Sequence, residues 1–194
     1  LNAVNVSMGH LQDLIAPVTD PSSDEHALQL ICIRLFNLGA TSLKLGLSGY
    51  YQASFQLIRD SLEVVNLLDL FRVDPTALKR WRYADDREHT KYFSPLEVRK
   101  ALEKHPEFAG QNRQPLYKMY SNFATHATFK SFELYRLGDL AQCGPFFDES
   151  KLKAFLEDLA LHLSHATLAL SMQIDAPDSS ELDGAQLRFI EALA

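Results

Sequence analysis

Between Glu25 and Leu47 the apolar residues do not keep to one face. Leu28, Ile31, Leu35, Phe36, Leu43 and Leu47 fall nearly all round a helix. A helix apolar on most sides has to be wrapped by others, so this one belongs in the middle of a bundle. Gly46 and Gly49 mark a turn directly after it, and a helix over about Tyr50 to Phe71 follows. So short a connection returns the chain antiparallel, as an αα-hairpin. Ser150 to Gln173 repeats the signal, with Leu152, Phe155, Leu159, Leu163 and Leu170 at helical spacing. A weaker amphipathic helix covers Val4 to Ile15 and stops at Pro17, Asp20 and Pro21, after which Ser23 or Asp24 can cap the next. Pro177 separates a short C-terminal helix, Glu181 to Leu193. The expectation is an all-α chain, one domain over residues 1–194: an up-and-down bundle of four or five long helices with short accessory helices. A chain of this length buries about 70% of its unfolded surface, so it needs no disulfide or metal staple.

The accessory helices fall in a polar middle, Val73 to Gln114, punctuated by Pro75, Pro95 and Pro106. Thr76–Tyr83 and Ser94–Lys104 read as short helices. Ser94 suits an N-cap, Pro95 the first helical position, and Glu97 completes a capping box. A helix from about Pro115 to Thr128 comes next, then an irregular stretch, Phe129 to Phe147, with short extended pieces. The charge is uneven. The chain carries a net −6, but residues 72–118 hold 11 Lys and Arg against 7 Asp and Glu. Indiscriminate nucleic-acid binding is therefore excluded, and 72–118 is the place for a nucleotide or RNA to be met. Lys79, Arg80, Trp81, Arg82 and Tyr83, with Arg87 and Lys91, mix cations with rings as single-stranded nucleic-acid sites do. The alternative is a solvated helix anchored by Trp81. Cys32 and Cys143 form no disulfide framework or zinc motif. Arg34, Lys44 and Arg59 interrupt the apolar runs, so no membrane span is expected, and a reduced cytoplasmic setting is.

Chemistry concentrates on the helix after the hairpin turn. Gln52, Gln56, Arg59, Glu63 and Asn66 share one arc of it. Either this is a solvated face with an intrahelical ion pair, or Arg59 and Glu63 look into a cleft against a neighbouring helix and meet a ligand or a polar partner such as His126. His126 follows Tyr120, Ser121 and Asn122 on the 115–128 helix, at the edge of its apolar stripe, where it is a structural hydrogen-bonding residue or a titrating site residue. Arg59, Glu63, Tyr120, Asn122 and His126 are the candidate ligand contacts; Arg59, Glu63 and His126 are the candidates for any catalysis.

The pattern Gly49-Tyr50-Tyr51-x-Ala53, then Leu57-Ile58-Arg59-x-Ser61-Leu62-Glu63, then Tyr117 or Tyr120 with Ser121 and His126, resembles a family of uncharacterised bacterial helical proteins grouped near the HEPN superfamily. The resemblance covers roughly residues 40–130. It implies a helical bundle that forms homodimers, a role in nucleotide or RNA binding or in defence, metal-independent ribonuclease activity in some members, and Arg59, Glu63 and His126 facing the interhelical groove. The catalytic signature of that superfamily, an Arg a few residues before a His, is not met at His126. Arg82 with His89 and Arg99 with His105 match it loosely in the polar middle. Asp158, His162 and His165 can share a helix face, but the paired Glu-x-x-His motifs of a di-metal bundle are missing, so no metal is expected. No Gly-rich phosphate loop, nucleophile elbow or HExxH occurs, and no cofactor is expected.

Overall fold

In a computed structural model, residues 1–15, 20–108, 110 and 113–174 are described. The hairpin is formed by α2 (Asp24–Leu47) and α3 (Tyr51–Val73). Its turn depends on Gly49, whose φ of +82° is left-handed; a Cβ there would also lie 2.3 Å from the Phe146 carbonyl oxygen. Ser23 caps α2, its hydroxyl accepting from the His26 backbone N–H at 3.1 Å. The helix α1 (Asn2–Leu14) packs on α2, and both pack on α8 (Glu149–Ser171), which also covers α3. These four long helices enclose the core, with Leu11, Cys32, Leu35, Ile58, Phe155 and Leu163 almost fully out of water. The protein is an all-α helical bundle. At Gly46 the helices α2 and α8 touch: a Cβ would fall 2.1–2.6 Å from the Phe155 ring. The helix expected over Glu181–Leu193 lies outside the described residues.

Short elements wrap one side of the bundle: α4 (Ala77–Tyr83), α5 (Asp86–Glu88), a wide π-helical turn over His89–Phe93, α6 (Pro95–Glu103), a 3-10 turn over Pro106–Phe108, and α7 (Arg113–Tyr120). The expected capping box at Ser94 does not form. Pro95 does begin α6, but the Ser94 hydroxyl caps nothing and Glu97 turns instead to the Lys100 ammonium at 2.8 Å. The box occurs at Asp85 and Glu88, where the carboxylate of each meets the other's backbone N–H. The helix expected over 115–128 is also shorter. Its α-helical part ends at Tyr120, Ser121–Thr125 form a second wide turn, and His126 is already extended at φ −85°, ψ 140°. Beyond it come a 3-10 helix, Phe129–Tyr135, and a two-residue hairpin in which Arg136–Leu137 pairs antiparallel with Leu140–Ala141.

The membrane expectation needs a correction. By length and composition α2 is apolar enough to cross a bilayer, because Arg34 and Lys44 are too few to break it. Here its neighbours are α1, α3, α4 and α8.

Candidate functional site

Apart from Gln56, the polar arc of α3 is not a solvated face. It is covered by α7 and the wide turn after it, which run antiparallel to α3, so residue numbers rise along one as they fall along the other. Arg113 meets Asn66 and Asp69, Tyr117 meets Glu63 and Arg59, Ser121 meets Arg59, and Gln52 donates to the Ala124 carbonyl. The spacing explains the register. Arg113, Tyr117 and Ser121 are four apart and share one face, as do Arg59, Glu63 and Asn66 on α3. Gln56, one turn before Arg59, stays exposed.

At the centre three groups close a ring. The Arg59 guanidinium pairs with Glu63 Oε1 at 2.7 Å and donates to the Tyr117 hydroxyl. That hydroxyl donates its own proton to Glu63 Oε1 at 3.1 Å, and Arg59 Nε–H reaches Ser121 Oγ at 3.3 Å. The Tyr117 ring also carries a second cation: the Arg99 guanidinium lies 3.8 Å from its centroid. Arg99 is buried, and its Nε and Nη1 are sealed from solvent without a hydrogen-bond acceptor. On the far side of the ring, Arg113 holds Asn66 Oδ1 at 2.5 Å and Asp69 Oδ2 at 2.6 Å, with both members of the ion pair nearly dry. Three guanidiniums thus share two carboxylates: Arg59, Arg99 and Arg113 against Glu63 and Asp69. Arg99 is the one with no ion pair among the described residues.

A second buried chain adjoins this layer. Tyr120 donates to Asp158 Oδ2 at 2.6 Å and lies 3.1 Å from His162 Nε2. A phenol has one proton, and an ionised Asp158 can only accept, so in that state His162 carries its proton on Nε2 and donates to the phenol. Burial, reinforced by Asp158, pushes the Tyr120 hydroxyl far up. Burial also pushes the Asp158 carboxyl up, in spite of the Tyr120 bond, and His162 down to about 4. Asp158 and His162 sit one turn apart on α8, but His165 leaves them and approaches Asp69 at 3.8 Å. No cluster of three or more His, Cys, Asp or Glu that could hold a metal occurs among the described residues.

The sequence-based candidates therefore separate. Arg59 and Glu63 meet, half-buried, in the layer between α3 and α7. Tyr120 belongs to the chain with Asp158 and His162. Asn122 and His126 are exposed, and no described hydrogen bond or ion pair joins His126 to Arg59. The basic run on α4 is largely committed to structure. Arg80 pairs with Asp74 at 2.5 Å, Arg82 pairs with Asp24, and the Trp81 ring packs 5.7 Å from that of Phe71. Arg99 entered the sequence analysis only as a loose signature match with His105 and not as a residue of this layer, although a signal existed: it occupies the α6 face of Val98 and Leu102, where a cation is out of place.

Two clefts flank the layer. One of about 440 Å³ is lined by Glu63 and Asn66, the other, of about 240 Å³, by Arg113, Tyr117, His162 and His165. Compared with protein-family models, with curated proteins and with solved structures, the chain matches none.

Proposed function

We propose that the chain is a HEPN-like helical protein that binds a nucleotide or RNA where the 72–118 segment lies on α3, without cleaving it, and that it works as a cytoplasmic bacterial homodimer. The observation that carries this reading is Arg99. A guanidinium stays charged, and one buried without an acceptor is costly to the fold. A phosphate oxygen that reached these donors, once the contacts now sealing them from solvent opened, would supply the missing acceptor and the missing charge together. Binding without cleavage is supported by the position of His126. A general acid or base has to reach the proton it transfers, and His126 is exposed and unconnected to Arg59. The test is thermal melting with a nucleoside diphosphate and with short RNA oligomers. A saturable rise in midpoint with either is expected, since a ligand bound only by the native state stabilises it; no rise with any of them overturns the reading.

The homodimer has its own support in the chain beyond Thr128, where Phe129, Leu140 and Phe147 are 84%, 71% and 69% exposed. Apolar surface of this kind favours association. Sedimentation should find a dimer that Phe129→Asp weakens; a monomeric wild type at tens of micromolar would remove the dimer from the account.

A further inference from the structure

The larger cleft lies between α2, α3, α4 and the start of α6. Its volume of about 440 Å³ falls in the range of small-molecule sites, about 300–1,000 Å³. Its walls are apolar: Leu30, Leu67, Val98, Phe93 and Trp81. Trp81 belongs to a run of rings, with centroids 5.7 Å from Phe71 and 6.1 Å from His89, and His89 is in turn 5.7 Å from Phe93. Such surfaces take the flat face of another ring.

Only Glu63 and Asn66 give this cleft polar groups from α3, and the two stand one helical turn apart on the same face. Each is half used. Glu63 Oε1 receives Arg59 and Tyr117, while Oε2 has no partner among the described residues. Asn66 Oδ1 receives Arg113, while its amide nitrogen donates to no described residue, although Asn66 is only 8% exposed. The bonds that are made fix both side chains in place. What remains is one acceptor and one donor, side by side, in a slot with an aromatic wall. Arg34, the remaining charged group of the lining, is paired with Asp60 at 2.8 Å.

We infer that this cleft binds an uncharged planar nitrogen heterocycle by its edge, an N–H of the ring system donating to Glu63 Oε2 and an adjacent ring nitrogen or carbonyl accepting from the Asn66 amide. An anionic ligand is disfavoured by the Glu63 carboxylate. A cationic one is disfavoured because Arg59 already balances that carboxylate. A donor and an acceptor held in fixed positions are what make such an edge selective, since a ring lacking the complementary group leaves them unpaired once it covers them. The inference rests on the proposed function in one respect: it places the base of a nucleotide here, leaving the phosphate to Arg99.

Trp81 is the only tryptophan of the chain, so its fluorescence reports on this cleft directly. The experiment titrates the full chain with adenosine, cytidine, guanosine and uridine, and with N6,N6-dimethyladenosine, which keeps the ring but lacks the exocyclic N–H. At least one nucleoside should change Trp81 emission saturably. For adenosine, the dimethyl analogue and the Glu63→Gln protein should each bind at least tenfold more weakly. Silence of Trp81 toward all four nucleosides overturns the inference, as does equal binding of adenosine and its dimethyl analogue. The analogue comparison uses the wild type, so it decides even if Glu63→Gln fails to fold. The two proposals fail separately. Adenosine that binds no more weakly than its diphosphate would remove the phosphate role of Arg99 and keep the ring site. A diphosphate that raises the melting midpoint while adenosine leaves Trp81 unchanged would do the reverse.

Discussion

Arg113 is the residue on which the covering of α3 depends most. It ties α7 to two residues of α3 through Asn66 and Asp69, and Asp69 is almost entirely buried. Removing one member of a buried pair leaves the other charge uncompensated, at about 3–5 kcal/mol, whereas replacing both by apolar residues costs far less. Urea unfolding should therefore show Arg113→Ala losing about that amount and Arg113→Leu with Asp69→Leu losing less than the single change; a single-site loss below about 1 kcal/mol would mean that the pair is not buried in solution. His162 makes a second case at this scale. Burial keeps it neutral down to about 4 in the folded chain, while an unfolded histidine takes its proton near about 6.5. Between those values the unfolded chain binds more protons, so His162's contribution is complete above about 6.5 and is lost as the pH falls toward 4, by up to about 3 kcal/mol. Asp158 acts in the opposite sense, because its raised carboxyl is more readily protonated folded than unfolded. The His162→Gln protein should show a flatter fall in unfolding free energy between pH 6.5 and 4.5 than the wild type; equal slopes would contradict the assignment. The sequence made Arg59 and Glu63 legible because both lie on one helix at a fixed spacing. That Tyr117 and Ser121 would be their partners, with Arg99 and Arg113 beside them, was not, since which helix covers the arc is decided by tertiary packing rather than by local pattern.

At the scale of elements, the long helices were readable and the short ones only in part. α2, α3 and α8 each sustain an apolar repeat over more than twenty residues, long enough for periodicity to outweigh local preference. The wide turns at His89–Phe93 and Ser121–Thr125 leave no such mark, because one extra residue in a turn changes the register without changing composition. That single feature removed His126 from the helix expected to carry it. Helix contacts can still be tested one position at a time. Gly46 lets α2 approach α8 so closely that an alanine methyl group would enter the Phe155 ring. Phe155 is completely buried, and protein interiors are close-packed. Gly46→Ala should destabilise the protein by about 1–3 kcal/mol or more despite the better helix propensity of alanine; a rise in thermal midpoint would show that the two helices do not touch there.

For the whole molecule, the bundle supplies a rigid α3 and the 72–118 segment supplies the groups that face it. The charge pattern foretold that division: an acidic protein whose middle third is basic. The structure adds that five of those eleven cations are already in ion pairs within the fold, at Arg72, Arg80, Arg82, Lys100 and Arg113. Arg99 stands apart from them, buried on a tyrosine ring with its donors unmet. A group kept for a ligand is held at the expense of the empty protein's stability. A group kept for the fold is not. The melting midpoint of Arg99→Met, measured with and without a nucleoside diphosphate, separates the two. The account predicts that Arg99→Met melts at or above the wild type when empty, because a buried unpaired charge has been replaced by an apolar chain of similar length, and that the diphosphate no longer raises its midpoint. A variant that melts several degrees lower when empty and still rises with the diphosphate as the wild type does would contradict it.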